Sequence, residues 1–155
     1  MTTTTGSSAR DASAQPRAWP RPGATALFRG MLSLIFLVAG TGHLLNTEHI
    51  VQRLLDSTYG FLATAVAPAR PLVLLAGAAL LLGGLGLLLG YRTRWAAVLL
   101  ILVVIPITIT IQIGRSTLGP LFKNVAIMGG LLFFATHGAG AYSLDKRLRG
   151  GQKSP

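Results

Sequence analysis

Trp95–Gly114 reads WAAVLLILVVIPITITIQIG, twenty residues without one Asp, Glu, Lys or Arg. As a helix, that length crosses a hydrocarbon core of about 30 Å. Its second half, IPITITIQI (Ile105–Ile113), alternates with the period of a strand. A lone strand in lipid, however, leaves its backbone N–H and C=O groups unpaired, which a helix does not. The stretch is therefore read as a helix, with a kink at Pro106, whose ring removes one N–H from the ladder.

Three further runs meet the same length criterion: Ala26–Leu45, Pro71–Gly90 and Leu118–His137. The expected fold class is all-α, an integral membrane four-helix bundle. Composition agrees, because 51% of the 155 residues are hydrophobic, only 12% are charged, and the mean hydropathy of +0.59 is high for a water-soluble fold. Residues 1–25 are rich in Thr, Ser, Pro and Arg without apolar periodicity and are expected to form a disordered tail, residues 26–145 the four-helix domain, and residues 146–155 a basic tail. A signal peptide is the rival reading of the first tail plus Met31–Ala39. The long polar lead and the three hydrophobic runs that follow favour an uncleaved first helix.

Between the first two runs, Glu48, His49, Gln52, Arg53 and Asp56 fall opposite Ile50, Val51, Leu54 and Leu55, which describes a short amphipathic helix lying on the membrane surface. Tyr59, Gly60 and Phe61 end or bend it. With the N-terminus in the cytoplasm, four crossings put ten cations inside (Arg10, Arg17, Arg21, Arg29, Arg92, Arg94, Lys146, Arg147, Arg149 and Lys153) and four outside (Arg53, Arg70, Arg115 and Lys123). That asymmetry predicts a multi-pass cell-membrane protein with both termini cytoplasmic. It also accounts for the net charge of +10 without nucleic acid, whose binders gather their cations on one face or tract.

No cysteine is present, which excludes disulfides, thiol redox catalysis and thiolate-ligated metal centres. The second run carries small residues four apart at Ala79/Gly83 and Gly86/Gly90, and Gly129 and Gly130 offer the same in the fourth. Such pairs permit close helix approach, within one bundle or across a homodimer face.

RGMLSLIFLVAGTGHLL (Arg29–Leu45), LLLGGLGLLLGYRTRWAA (Leu80–Ala97) and KNVAIMGGLLFFATHGAGAYSLDKR (Lys123–Arg147) together resemble the DoxX family of small four-helix membrane proteins, over Arg29 to Asp145. The resemblance implies a subunit or partner of membrane oxidoreductase systems, in some members linked to thiosulfate oxidation with quinone as acceptor. Where the family often has a glutamate in the second span, this chain has Leu80. The ending Gly138–Asp145 has its own physical sense: Gly138 and Gly140 can adopt positive φ where the last helix stops, and Ser143 or Asp145 can cap a short basic helix.

Up-down topology brings His43 and Asn46, Thr108 and Gln112, and Lys123 and Asn124 to similar depth, with Thr108 and Gln112 on one helical face. Polar side chains at that depth are expected to face the bundle interior. The candidate cofactor-binding set is His43, Asn46, Thr108, Gln112 and Asn124, in which His43, Gln112 and Asn124 hydrogen-bond a polar head such as a quinone carbonyl. The competing reading is that these groups bond one another or the backbone. His137 belongs to the opposite end of its span and His49 to the surface helix, so no haem or metal site is expected. Asp11, Glu48, Asp56 and Asp145 all map to tails or loops, which argues against a proton-coupled transporter. Two function classes stay open: a quinone-interacting or anchoring component of an oxidoreductase, with membrane or soluble oxidoreductase subunits as partners, and a non-catalytic scaffold or assembly partner. No catalytic residue is named.

Overall fold

The computed structural model describes residues 21–113, 118–140 and 142–146. Its helices are α1 (Pro22–Leu45), α2 (Thr47–Leu55), α3 (Gly60–Thr64), α4 (Ala69–Leu89), α5 (Thr93–Ile107), which runs into a π turn over Thr108–Gln112, and α6 (Gly119–His137). Four of these segments are long and apolar enough to cross a membrane: α1, α4, α5 with its π turn, and α6. The starts of α1 and α5 and the ends of α4 and α6 share one end of the bundle, called here the terminal face. The opposite end, with α2 and α3, is the far face.

The helices pack in chain order, α1 on α4, α4 on α5 and α5 on α6. Leu32, Phe36, Leu80, Leu87, Ala97, Leu100, Val104, Leu131 and Phe134 form the shared core. Outward-facing Leu82, Leu102 and Leu132 stay 69%, 64% and 59% exposed, the pattern of a bundle whose solvent is hydrocarbon. Contact between α1 and α4 depends on glycine. A Cβ on Gly40 would sit 2.9 Å from the Gly77 carbonyl oxygen, and one on Gly77 would sit 2.9 Å from the His43 Cβ. Gly83 likewise receives the Leu100 side chain of α5, whereas Gly129 has nothing within 4 Å of where a Cβ would lie. Most of the small residues of α4 are thus used inside one bundle.

Several expectations need correction. The first span starts at Pro22 rather than Ala26, because proline at the first helical position is pre-set for the helix and loses no bond there. Residues 22–25 therefore leave the expected tail, while residues 1–20 and 147–155 lie outside the described residues, as does Arg115 among the orienting cations. The amphipathic helix α2 does more than lie on a surface: Val51 and Leu54 are buried against Val73 and Ile111, while Leu55 is 54% exposed. A further short helix, α3, follows where only a bend was expected.

The kink region at Pro106 becomes a π turn, closed by the Ile113 N–H on the Thr108 carbonyl at 3.3 Å. Proline removes one N–H from the α ladder, and just beyond it the Thr108 and Thr110 hydroxyls donate to the carbonyls of Val104 and Pro106, each at 2.7 Å, in competition with the backbone N–H groups of that ladder.

Candidate functional site

On the far face the structure divides the sequence-derived set. Thr108 and Asn124 come together: the Asn124 Nδ2 donates to the Thr108 Oγ1 at 2.9 Å, with both residues buried. Gln112 does not join them, and its Oε1 is buried without a partner. Asn46 is exposed at the junction of α1 and α2, and its side chain does not cap α2. Arg53, expected on the polar face of α2, is half-buried, with its Nε also lacking a partner.

His43 belongs to a different environment. Its Nδ1 lies 2.8 Å from the Ala39 carbonyl oxygen. A carbonyl only accepts, so Nδ1 carries the proton, as in the tautomer of the imidazole in which Nε2 is an acceptor. The residue lines a cavity of about 220 Å³ bounded by the end of α1, by α2 and α3, and by the facing sides of α4 and α5. Its other polar liner is Thr110, and Leu54, Val73, Ala79 and Pro106 are among its apolar walls. Leu75 and Leu102, 68% and 64% exposed, stand at its edge, so the cavity meets the lateral surface. The site depends on Pro106 and the π turn beside it, an irregularity that recurs at functional positions in helices.

The terminal face is tied by polar contacts. Arg29, only 6% exposed in the second turn of α1, donates from Nη1 to the Ala139 carbonyl at 2.8 Å and from Nη2 to the Tyr142 carbonyl at 2.6 Å. Those carbonyls are presented by a chain reversal in which Gly138 and Gly140 have φ of 76° and 78°. Asp145 Oδ1 accepts the Arg92 backbone N–H at 2.7 Å and Oδ2 that of Thr93 at 3.2 Å, while its own N–H donates to the Gly90 carbonyl at 3.0 Å.

Asp145 therefore caps α5, 52 residues away, rather than the short turn it belongs to. That turn is capped by Ser143, whose Oγ accepts the Lys146 N–H at 3.3 Å. In the sequence Arg29 counts only among orienting cations. The signal that could have singled it out is a lone guanidinium inside an apolar helix, which needs acceptors.

Leu80, the position at which the family resemblance implies a glutamate, is 3% exposed in the central core. A carboxylate at that position would stand among apolar side chains. His43 and His137 lie at opposite ends of the bundle, on α1 and α6.

No curated protein and no solved structure matches the chain. The DoxX family model matches residues 24–113, which take in α1 through the π turn. The match stops before α6 and the Gly138–Asp145 reversal, so the polar ties between them and the rest lie partly beyond it. Covering more than half of the sequence, the match establishes that this chain is a membrane protein of the DoxX family.

Proposed function

We propose that the chain is a quinone-interacting component of a membrane oxidoreductase system, and that the cavity beside His43 takes the ring head. The observation that carries this reading is an apolar, laterally placed cavity whose polar liners are His43 and Thr110. Its volume of about 220 Å³ is below the ~300–1,000 Å³ of pockets that enclose whole drug-sized ligands. A ring head fits, and the isoprenoid tail leaves past Leu75 and Leu102 into lipid.

Both polar groups have their protons committed inside their own helix, His43 to Ala39 and Thr110 to Pro106. What they offer is acceptor lone pairs, which suit the hydroxyl of a quinol. The reading assigns no catalytic step to this chain: it binds and orients, and electron transfer falls to a partner. A non-catalytic scaffold is the second reading, favoured by the apolar character of most of the cavity wall, which an acyl chain fills equally well.

Binding of a short-chain quinol in lipid nanodiscs tests the proposal. His43→Leu removes the acceptor and is expected to weaken binding about 10- to 100-fold, the equivalent of ~1–3 kcal/mol for one buried hydrogen-bond partner. Ala79→Leu fills the cavity and is expected to abolish binding. Equal affinity in wild type and both variants would overturn the assignment.

A further inference from the structure

The terminal face carries a second cavity, larger than the first at about 620 Å³, between the first turn of α5 and the chain reversal after α6. Arg92, Arg94 and Lys146 line it with Asp145 as their acidic neighbour, so its formal charge is positive. Among the described residues the one ion pair is Glu48–Arg70 on the far face, so none of these three cations is neutralised by contact with a carboxylate. The first N–H groups of α5 are already taken by Asp145. A bound anion would be held by the side chains instead.

A second observation also points to a missing partner. Thr93 lines the same cavity and is fully buried, yet its hydroxyl has no hydrogen-bond partner. A phosphate oxygen would supply the acceptor that this buried hydroxyl lacks.

The surroundings distinguish a lipid phosphate from a free one. Tyr91, Trp95 and Tyr142 are 47%, 73% and 67% exposed at this end, and exposed Trp and Tyr gather at headgroup depth. Below Trp95, the exposed residues Val98, Leu99 and Leu102 recur at helical spacing and continue one apolar stripe down α5 from the cavity. We propose that this cavity is a binding site for an anionic phospholipid, with the phosphate held by Arg92, Arg94, Lys146 and the Thr93 hydroxyl and an acyl chain lying along that stripe. The lipid would bridge α5 to the chain reversal after α6.

The full-length protein in phosphatidylcholine nanodiscs, with and without phosphatidylglycerol, provides the test, read as phosphatidylglycerol retained in native mass spectrometry and as the shift in unfolding midpoint. The wild type is expected to retain phosphatidylglycerol selectively and to unfold at higher temperature with it. Arg94→Gln with Lys146→Gln is expected to lower the retention about fivefold per cation removed. Arg70→Gln with Lys123→Gln, on the far face, leaves it unchanged.

Inorganic phosphate added to phosphatidylcholine nanodiscs serves as the other arm. The same midpoint shift from phosphate alone would overturn the lipid assignment in favour of a free oxyanion. Equal retention of both lipids by the wild type, or unchanged selectivity in Arg94→Gln with Lys146→Gln, would overturn the site itself. Should that double variant fail to fold, Lys146→Gln alone carries the comparison.

Discussion

Asp145 accepts the backbone N–H of Arg92 at 2.7 Å across 53 positions of sequence, so that the end of the described chain caps the start of the third membrane-crossing helix. The first N–H groups of a helix have no partner inside it, and a carboxylate there also meets the positive end of the helix dipole. Arg92 itself has φ of 44°, a left-handed conformation that costs a non-glycine residue roughly 1–2 kcal/mol. The bond to Asp145 helps to hold it there.

Asp145→Ala is therefore expected to lower stability by about 1–2 kcal/mol, the range for loss of a helix N-cap. Asp145→Asn, which keeps one acceptor oxygen, is expected to lose less. Thermal unfolding in detergent measures both, and an Ala variant as stable as wild type would remove the cap from the account.

Glycine substitutions separate packing from propensity. Gly77→Ala would place a Cβ 2.9 Å from that of His43 and 3.0 Å from Leu44 Cδ2, and is expected to cost about 1–3 kcal/mol by overpacking. Gly129→Ala enters open space and is expected to be neutral or stabilising by up to ~1 kcal/mol. Equal effects at the two positions, measured by reversible unfolding in mixed micelles, would contradict the packing of α1 on α4.

The four spans could be read from the sequence because each is a predominantly apolar run long enough to cross a bilayer, and that signal does not depend on tertiary contacts. Their neighbours could not be. Val51 and Leu54 have the spacing of any amphipathic helix, and only the folded chain shows that they cover Val73 and Ile111. Depth alone places Thr108 near Asn124, and the two bond at 2.9 Å, but depth does not fix azimuth. Gln112 Oε1 is left without a partner, while Thr110 and Ile111 of the same π turn line the cavity wall. The ties of Arg29 to Ala139 and Tyr142 span more than a hundred positions, a distance over which no local pattern carries information.

Thr108 and Asn124 offer a measure of how much one buried polar pair contributes. A double-mutant cycle with Thr108→Val and Asn124→Leu is expected to give a coupling of ~0.6 kcal/mol and no more than ~1.7, the span found for hydrogen bonds between membrane helices. A coupling of zero would mean that the 2.9 Å bond contributes nothing to the association of α6 with α5.

Orientation rests on the cation asymmetry and is open to direct labelling. With both termini cytoplasmic, a cysteine replacing exposed Thr58 on the far face reacts with a membrane-impermeant reagent added outside. One replacing Tyr91 on the terminal face reacts only after permeabilisation. Thr93 is fully buried, so a cysteine there would be shielded in either orientation. Reversal of the Thr58 and Tyr91 results would invert the topology.

The proposed quinol site is tested most directly by photolabelling the full-length protein in nanodiscs with a short-chain azidoquinol, kept reduced, followed by peptide mapping of the adducts. The account predicts adducts concentrated on the wall formed by Leu72–Ala79 and Leu102–Ile111, suppressed by excess unlabelled quinol and lost in Ala79→Leu. Adducts spread over the outer faces of α1 and α6, unaffected by competitor and by Ala79→Leu, would contradict it.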